Sequence, residues 1–426
     1  MEHVLKESQN PKEIHQQTGI LIISTIALGI IVGFSSLILS LFLDKVEQFF
    51  LSFKESALAP SATMIAGSHR LISVIIGGML ATIIWYILRT KFKPIISINQ
   101  ALKGKQMPWI ETIIDVLTQI MFVGTGGSVG RELAPREAGA MLAQRWSNMI
   151  NKIGLSKITP EDQQLLIAAA AGAGFAGIYI APITGMFFCV EILLKKITPK
   201  TVTISLSMSV ISMLIGSLVK GFKPYYLIHD THFSLMMLPF VLIASPIIGL
   251  VGVLFRKAFK WAEKFQAKNK QILWQLPLLA VLTGLIAMIF PQIMGNGRAL
   301  AQLSMNYNHH FFIGILILGA IAKATVTVLT IRAGASGGTL TPSIAIGSAL
   351  GVLIGLGFNL LGFPLSLSQA ALLGAAILLA ASQQAPLMAL FMIFEVSHLD
   401  YSAFLPLGLG VAIAAIISQL FFKGRL

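Results

Sequence analysis

The chain has 426 residues, 55% of them hydrophobic and only 11% charged, with a mean hydropathy of +0.82. A soluble domain carries about 25% charged residues, so a soluble enzyme, a disordered chain and a nucleic-acid binder are excluded. The net charge of +14, from 31 basic and 17 acidic side chains, reads as Lys and Arg held in cytoplasmic loops rather than as a polyanion site.

Residues 1–18 are polar and predict a cytoplasmic N-terminal segment ahead of a single membrane domain, 19–426. The first apolar run, 19–43, carries no charge. It exceeds the roughly 7–15 residues of a signal-peptide core and predicts an uncleaved membrane helix. Further apolar runs fall at 71–88, 163–190, 201–219, 234–255, 272–294, 311–331, 339–363, 367–394 and 402–422. A span takes roughly 20 residues, so the length allows on the order of a dozen. The run 163–190 contains AAAAGAGFAG and then Pro182, which predicts two shorter helices meeting at a break. Such breaks need protein or water to satisfy the freed backbone groups. Basic clusters at Arg89, Lys91 and Lys93, at Lys195, Lys196 and Lys200, and across 256–270 mark the cytoplasmic side. The same rule puts the base-poor loops 221–233 and 291–310 outside.

Two patterns recur. GRELAP at 130–135 and GGTLTP at 337–342 share the frame G-x-x-L-x-P, and each follows a Gly-rich approach, GTGGSVG or AGASGG. Ala181-Pro182 precedes Glu191, and Ala385-Pro386 precedes Glu395, both in the frame A-P-x8-E. The order and nearly constant offset predict two homologous halves, 19–220 and 234–422, of the kind that places a transporter's site at their interface. A Gly-rich loop entering a helix exposes N–H groups without intrahelical partners, and the helix dipole adds partial positive charge. Two such ends meeting in mid-membrane form an anion site, whereas a single copy would suit close helix packing equally well.

Glu132 sits at the first of these ends, where its carboxylate competes for the anion's place. Ionised it plugs the site; protonated it is neutral and free to swing away. An intramembrane carboxylate suggests function, while a structural ion pair of Glu132 with Arg131 or Arg136 stays open on sequence grounds.

With these motifs the chain resembles the CLC family of chloride channels and chloride/proton exchangers, from about residue 19 to 422. GRELAP looks like the family's GREGP motif, GGTLTP like its GxFxP motif, and the A-P-x8-E segments fall where the family has two inner helices. The resemblance implies an all-α polytopic membrane protein, an inverted repeat of tilted and re-entrant helices. It implies a homodimer in the cell membrane with one pore per subunit and both termini cytoplasmic. The transported partner is chloride or a similar small anion, with protons if the protein is an exchanger rather than a channel. Glu132 takes the place of the gating glutamate. Gly130, Arg131 and Leu133 at the first motif, and Gly338, Thr339 and Leu340 at the second, take the anion-binding places.

The chain also departs from the family pattern. Where the GSGIP motif belongs, it reads TKFKPIISINQAL, with Lys93 and Ser97 nearby. The chain ends at Leu426, where the family's pore tyrosine would follow. A less constricted inner mouth and loose coupling are therefore expected. The family's internal proton-transfer glutamate aligns with Ile192. Its neighbour Glu191, turned by about 100° on a helix, is the remaining candidate for an inner proton relay.

Lys323, in the middle of an apolar run, either serves the anion path or snorkels out from near a helix break, and the second reading is preferred. Asp115 is equally ambiguous. Cys189 stands alone, which leaves no disulfide framework. His229 and His232, like His309-His310, read as solvated loop residues, so no metal and no cofactor are expected. The competing reading is a secondary transporter of a small organic anion or amino acid. A membrane enzyme would need a reactive cluster, and the sequence offers none.

Overall fold

The computed structural model describes residues 11–154, 158–307 and 313–423. Among the described residues sixteen α-helices follow in chain order: α1 Pro11–Leu51, α2 Gly67–Lys91, α3 Ile98–Leu102, α4 Trp109–Gly124, α5 Leu133–Ile153, α6 Pro160–Tyr179, α7 Pro182–Phe187, α8 Pro199–Lys220, α9 Leu238–Lys264, α10 Ile272–Ile289, α11 Arg298–Met305, α12 Ile313–Arg332, α13 Leu340–Leu360, α14 Leu367–Gln383, α15 Pro386–Val396 and α16 Phe404–Lys423. A π-helical turn, Phe188–Leu193, extends α7. Eight of the helices among the described residues are long and apolar enough to cross a bilayer. The first, α1, has 41 residues and so runs to about 60 Å, twice the hydrocarbon thickness, so that its charged ends extend past the uncharged run 19–43. Large apolar side chains such as Phe34, Leu242 and Leu278 stay exposed on the outer helices. Lipid, not water, is the solvent such a surface suits.

The run 163–190 breaks at Pro182 as predicted, and the run 367–394 breaks in the same way. Between α6 and α7, Ile180 takes a left-handed conformation with φ 56°, and Ala181 leads into Pro182 at the first helical position. Between α14 and α15, Gln384 does the same with φ 55°, and Ala385 leads into Pro386. A β-branched residue at positive φ is costly, so packing on both sides must hold Ile180 there. The central helices cross closely because glycines face carbonyls. A Cβ on Gly139 or Gly174 would strike the backbone of Ala170 or Pro135 where α5 crosses α6, and one on Gly347 or Gly351 would strike Gly374 or Ala370 where α13 crosses α14.

The A-P-x8-E frame has a structural explanation. Glu395, near the end of α15, accepts from Ile183 N (2.8 Å) and Thr184 N (2.7 Å) at the start of α7. Glu191 accepts from Leu387 N (3.1 Å) and Met388 N (2.8 Å) at the start of α15. Each carboxylate satisfies the bare amino end of the other helix, and Phe187 stacks on Phe391 between them.

Candidate functional site

The amino ends of α5 and α13 meet. Gly130 and Gly338 form a two-hydrogen-bond antiparallel bridge, 2.8 Å in each direction. The two Gly motifs, 207 residues apart, are thus in direct contact. Glu132 closes the loop ahead of α5 and is wholly buried. Its Oε1 accepts from Leu340 N at 2.6 Å, and its Oε2 from the Thr341 hydroxyl at 3.1 Å. The carboxylate of one motif therefore occupies the helix end of the other. A Cβ on either Gly130 or Gly338 would run into this carboxylate, so both glycines are required for its seat. Thr341 in turn contacts Tyr179 Oη at 3.1 Å.

Neither arginine pairs with the Glu132 carboxylate. Arg131 turns away to Glu55 (3.0 Å) and Tyr225 Oη (3.2 Å), and Arg136 Nε donates to the Glu132 backbone carbonyl at 2.6 Å. The structural ion pair left open by the sequence is therefore absent among the described residues. Leu133 opens α5, and Thr339 stands just ahead of α13.

Cavities approach the site from two sides. One, of about 260 Å³, is lined by Arg131, Tyr179, Lys220, Tyr225 and Arg298. Its rim is crossed by Glu55, which Arg298 also holds at 3.1 Å. Burial pushes the Glu55 carboxyl up, but the two arginines outweigh it and hold the group below the usual carboxylate range. The other cavity, of about 120 Å³, is lined by Arg256, Lys260, Thr339, Ser382 and Gln383. Glu132 lines neither, but Arg131 lines the first and Thr339 the second. Lys93 and Ser97 do not line the second cavity; Ser97 instead caps α3 by accepting from Gln100 N. Sequence reasoning missed Arg256 and Lys260 as lining residues, because they were read only as part of a basic loop.

Lys323 corrects an expectation. It does not snorkel: it is fully buried and donates to Ser128 Oγ (2.8 Å), Ile293 O (3.0 Å) and Gly295 O (2.7 Å). It ties the Gly-rich approach of the first motif to the segment before α11. Asp115 is buried as well, taking Trp85 Nε1 at 2.7 Å and Gln119 Nε2 at 2.8 Å. Glu191 is engaged in capping α15, as described above. His232 contacts Asp400 at 3.3 Å on the surface, and no group of three or more metal-type ligands occurs among the described residues. His309-His310 lies outside the described residues.

Broken helices, paired Gly motifs in contact and a carboxylate seated on a helix end define a multi-pass membrane transport protein built around a small anionic site. Comparison with known proteins makes this specific. The profile of the family described as "Voltage gated chloride channel" matches residues 77–419, and the chain belongs to this family. The voltage-gated ClC-type chloride channel ClcB of Salmonella typhi is 27% identical over 392 residues, covering 88% of this chain and 90% of that protein. The ClcB of Citrobacter koseri is 27% identical over 394 residues, with the same coverage. Among solved structures, a slow cyanobacterial Cl⁻/H⁺ antiporter superposes with a TM-score of 0.78 at 22% identity, covering 95% of both chains. A CLC-type fluoride/proton antiporter superposes with a TM-score of 0.68 at 21% identity over 96% of both. At these identities the structural likeness speaks for the fold.

Proposed function

We propose that the protein carries small inorganic anions, chloride foremost, across the membrane, with Glu132 as the gate. The observation that carries this reading is the Glu132 carboxylate on Leu340 N: a negatively charged group of about the right size already occupies a helix end that has no cation of its own. When Glu132 is protonated and leaves, Leu340 N–H and the Thr341 hydroxyl are released to an anion, in a seat framed by the backbone of Thr339 on one side and of Arg131 and Leu133 on the other, while Gly130 and Gly338 stay joined in their bridge and leave room for the ion. The binding is then by dipoles, strong enough to replace part of a hydration shell and weak enough to let the ion go. The basic cavity by Arg131, Lys220 and Arg298 gathers anions on one side. Arg256 and Lys260 do so at the other cavity. Channel and proton-coupled exchanger both fit this site.

The reading extends to organisation. Residues 19–220 and 234–422 are two inverted halves, supported by the matching breaks at Ile180 and Gln384 and by the exchanged caps Glu191 and Glu395. The protein works as a homodimer with both termini cytoplasmic, as the positive loops suggest. Glu191 has a capping role that leaves it little freedom to carry protons.

The test is reconstitution in liposomes with anion efflux and proton flux recorded together. Chloride should pass and bulky organic anions should not. Transport of a small organic anion in preference to chloride would overturn the reading.

A further inference from the structure

If protons move at all, the position of Ile192 and the capping of Glu191 leave them without the family's usual inner carboxylate. The structure holds another set. Glu111, Asp115 and Gln119 follow at i, i+4 and i+8 on one face of α4, each step about 6 Å, and all three are buried. Gln119 Nε2 donates both to Asp115 Oδ2 (2.8 Å) and to Glu137 Oε2 (2.8 Å) on α5. Two buried carboxylates thus lie within two hydrogen-bond lengths of each other. Among the described residues, no ion pair within 4 Å involves either of them. Gln119 is wholly buried and its Oε1 has no hydrogen-bond partner. The cluster therefore has one acceptor too many and one donor too few, and a single added proton corrects both. Two like charges this close, away from water, cannot both persist. The charged and polar groups facing the pair are Trp85, whose Nε1 donates to Asp115 Oδ1 at 2.7 Å, and Arg89 from α2, Arg136 from α5 and Ser336 from the loop before α13. Arg89 spends its donors on Ala267 O and Ser336 Oγ, and Arg136 donates to the Glu132 carbonyl.

We propose that Asp115 and Glu137, bridged by Gln119, share a proton and form the inner proton station that serves Glu132. Glu111 stands one turn nearer the end of α4 that lies by Lys93, whose N–H it accepts at 3.3 Å, and marks the entry. Along α5, Glu137 is five residues beyond Glu132, about 7–8 Å along the axis, a gap that one or two waters span. In the transfer, protonated Glu137 gives its proton to such a water and becomes the carboxylate. The water passes a proton to Glu132, which becomes neutral and releases Leu340 N–H. A proton entering by way of Glu111 then protonates Asp115, which passes it to Glu137, so that the pair again holds one shared proton.

This inference rests on Glu132 being the gate, and the experiment separates the two ideas. The full chain is reconstituted in phosphatidylglycerol-containing liposomes as wild type, Glu137→Gln, Asp115→Asn and Glu132→Gln, with chloride and proton fluxes measured together. Glu137→Gln should lower proton flux by about 100-fold, the size of a positioned acid–base contribution, and leave chloride flux within about twofold. Wild-type proton flux in the double variant Asp115→Asn/Glu137→Gln would overturn the station. So would chloride flux without any proton flux in the wild type, an outcome that leaves the anion reading standing. Loss of coupling in Glu137→Gln but not in Glu132→Gln would instead sink Glu132 as the gate. Infrared spectra of the same proteins give a readout independent of transport. A protonated-carboxyl stretch should be present in the wild type at neutral pH and missing from the double variant. Identical spectra in that region would overturn the shared proton.

Discussion

Glu132→Gln tests the gate most directly. The side chain keeps its shape and loses its charge. In the wild type, two hydrogen bonds tie the carboxylate to α13, from Leu340 N at 2.6 Å and from the Thr341 hydroxyl at 3.1 Å. A hydrogen bond to a charged group contributes about 1.5–3 kcal/mol and a neutral one about 0.5–1.5. Neutralisation therefore weakens the plug by about 1 kcal/mol per bond, and loss of the helix-dipole attraction adds about 0.3–1 kcal/mol. A total of about 2–3 kcal/mol raises the unplugged fraction by roughly 30- to 100-fold, at 1.4 kcal/mol per tenfold. The assay is chloride efflux from liposomes across a series of pH values. Wild-type efflux should rise on acidification, since only the ionised carboxylate competes with the anion. The variant should run fast at every pH and carry no coupled protons. A variant that keeps a steep pH dependence, or a fixed proton stoichiometry, would refute the gate.

Other perturbations follow from the same geometry. Gly338→Ala places a methyl group in the Glu132 seat and should raise efflux at neutral pH much as Glu132→Gln does, read in the same assay. Thr339→Pro deletes a backbone N–H at the start of α13 and should weaken chloride binding in calorimetric titration, whereas Thr339→Val should change it little; equal losses would assign binding to the hydroxyl. Lys323→Met removes three buried hydrogen bonds and leaves Gly295 O without its ammonium donor, while Ser128 Oγ and Ile293 O keep each other, so the melting temperature should fall with a loss of about 2–4 kcal/mol. Glu55 has its carboxyl held below the usual range, so its stabilising effect is full above the ordinary carboxylate range and is lost as pH falls through the depressed value. Glu55→Gln should flatten the acid limb of a thermal-stability profile, and an unchanged acid limb would exclude this role.

The sequence exposed the repeated parts well and the polar interior poorly. The break at Pro182 and the two Gly motifs were readable because Gly and Pro constrain the backbone locally, whereas the matching break at Pro386 was passed over inside the run 367–394. That the two helix ends meet was inferred from the repeat, but the bridge that joins Gly130 to Gly338 was not, since only folding sets that pairing. Helices α4 and α5 escaped the apolar runs because Glu111, Asp115, Gln119, Glu137 and Gln144 interrupt their hydropathy, although all five are buried. Lys323 was misread for a related reason. Its acceptors at Ser128, Ile293 and Gly295 are remote in sequence, and without them a buried ammonium looks untenable. Glu191 suggested a proton carrier by its place beside Ile192; its amide partners lie 196 and 197 residues away.

The exchanged caps also bear on how the chain is made. The amino end of α7 receives its carboxylate from a residue 212 positions further on. While that residue is still unsynthesised, the nascent first half sits in the bilayer with two bare N–H groups, and in lipid each is expensive to leave so. The first half therefore cannot reach its final packing alone, however complete its own helices are. Release of a fragment ending near residue 220 should yield an inserted but protease-sensitive product, and co-expression of the second half should restore protection by supplying Glu395 in trans.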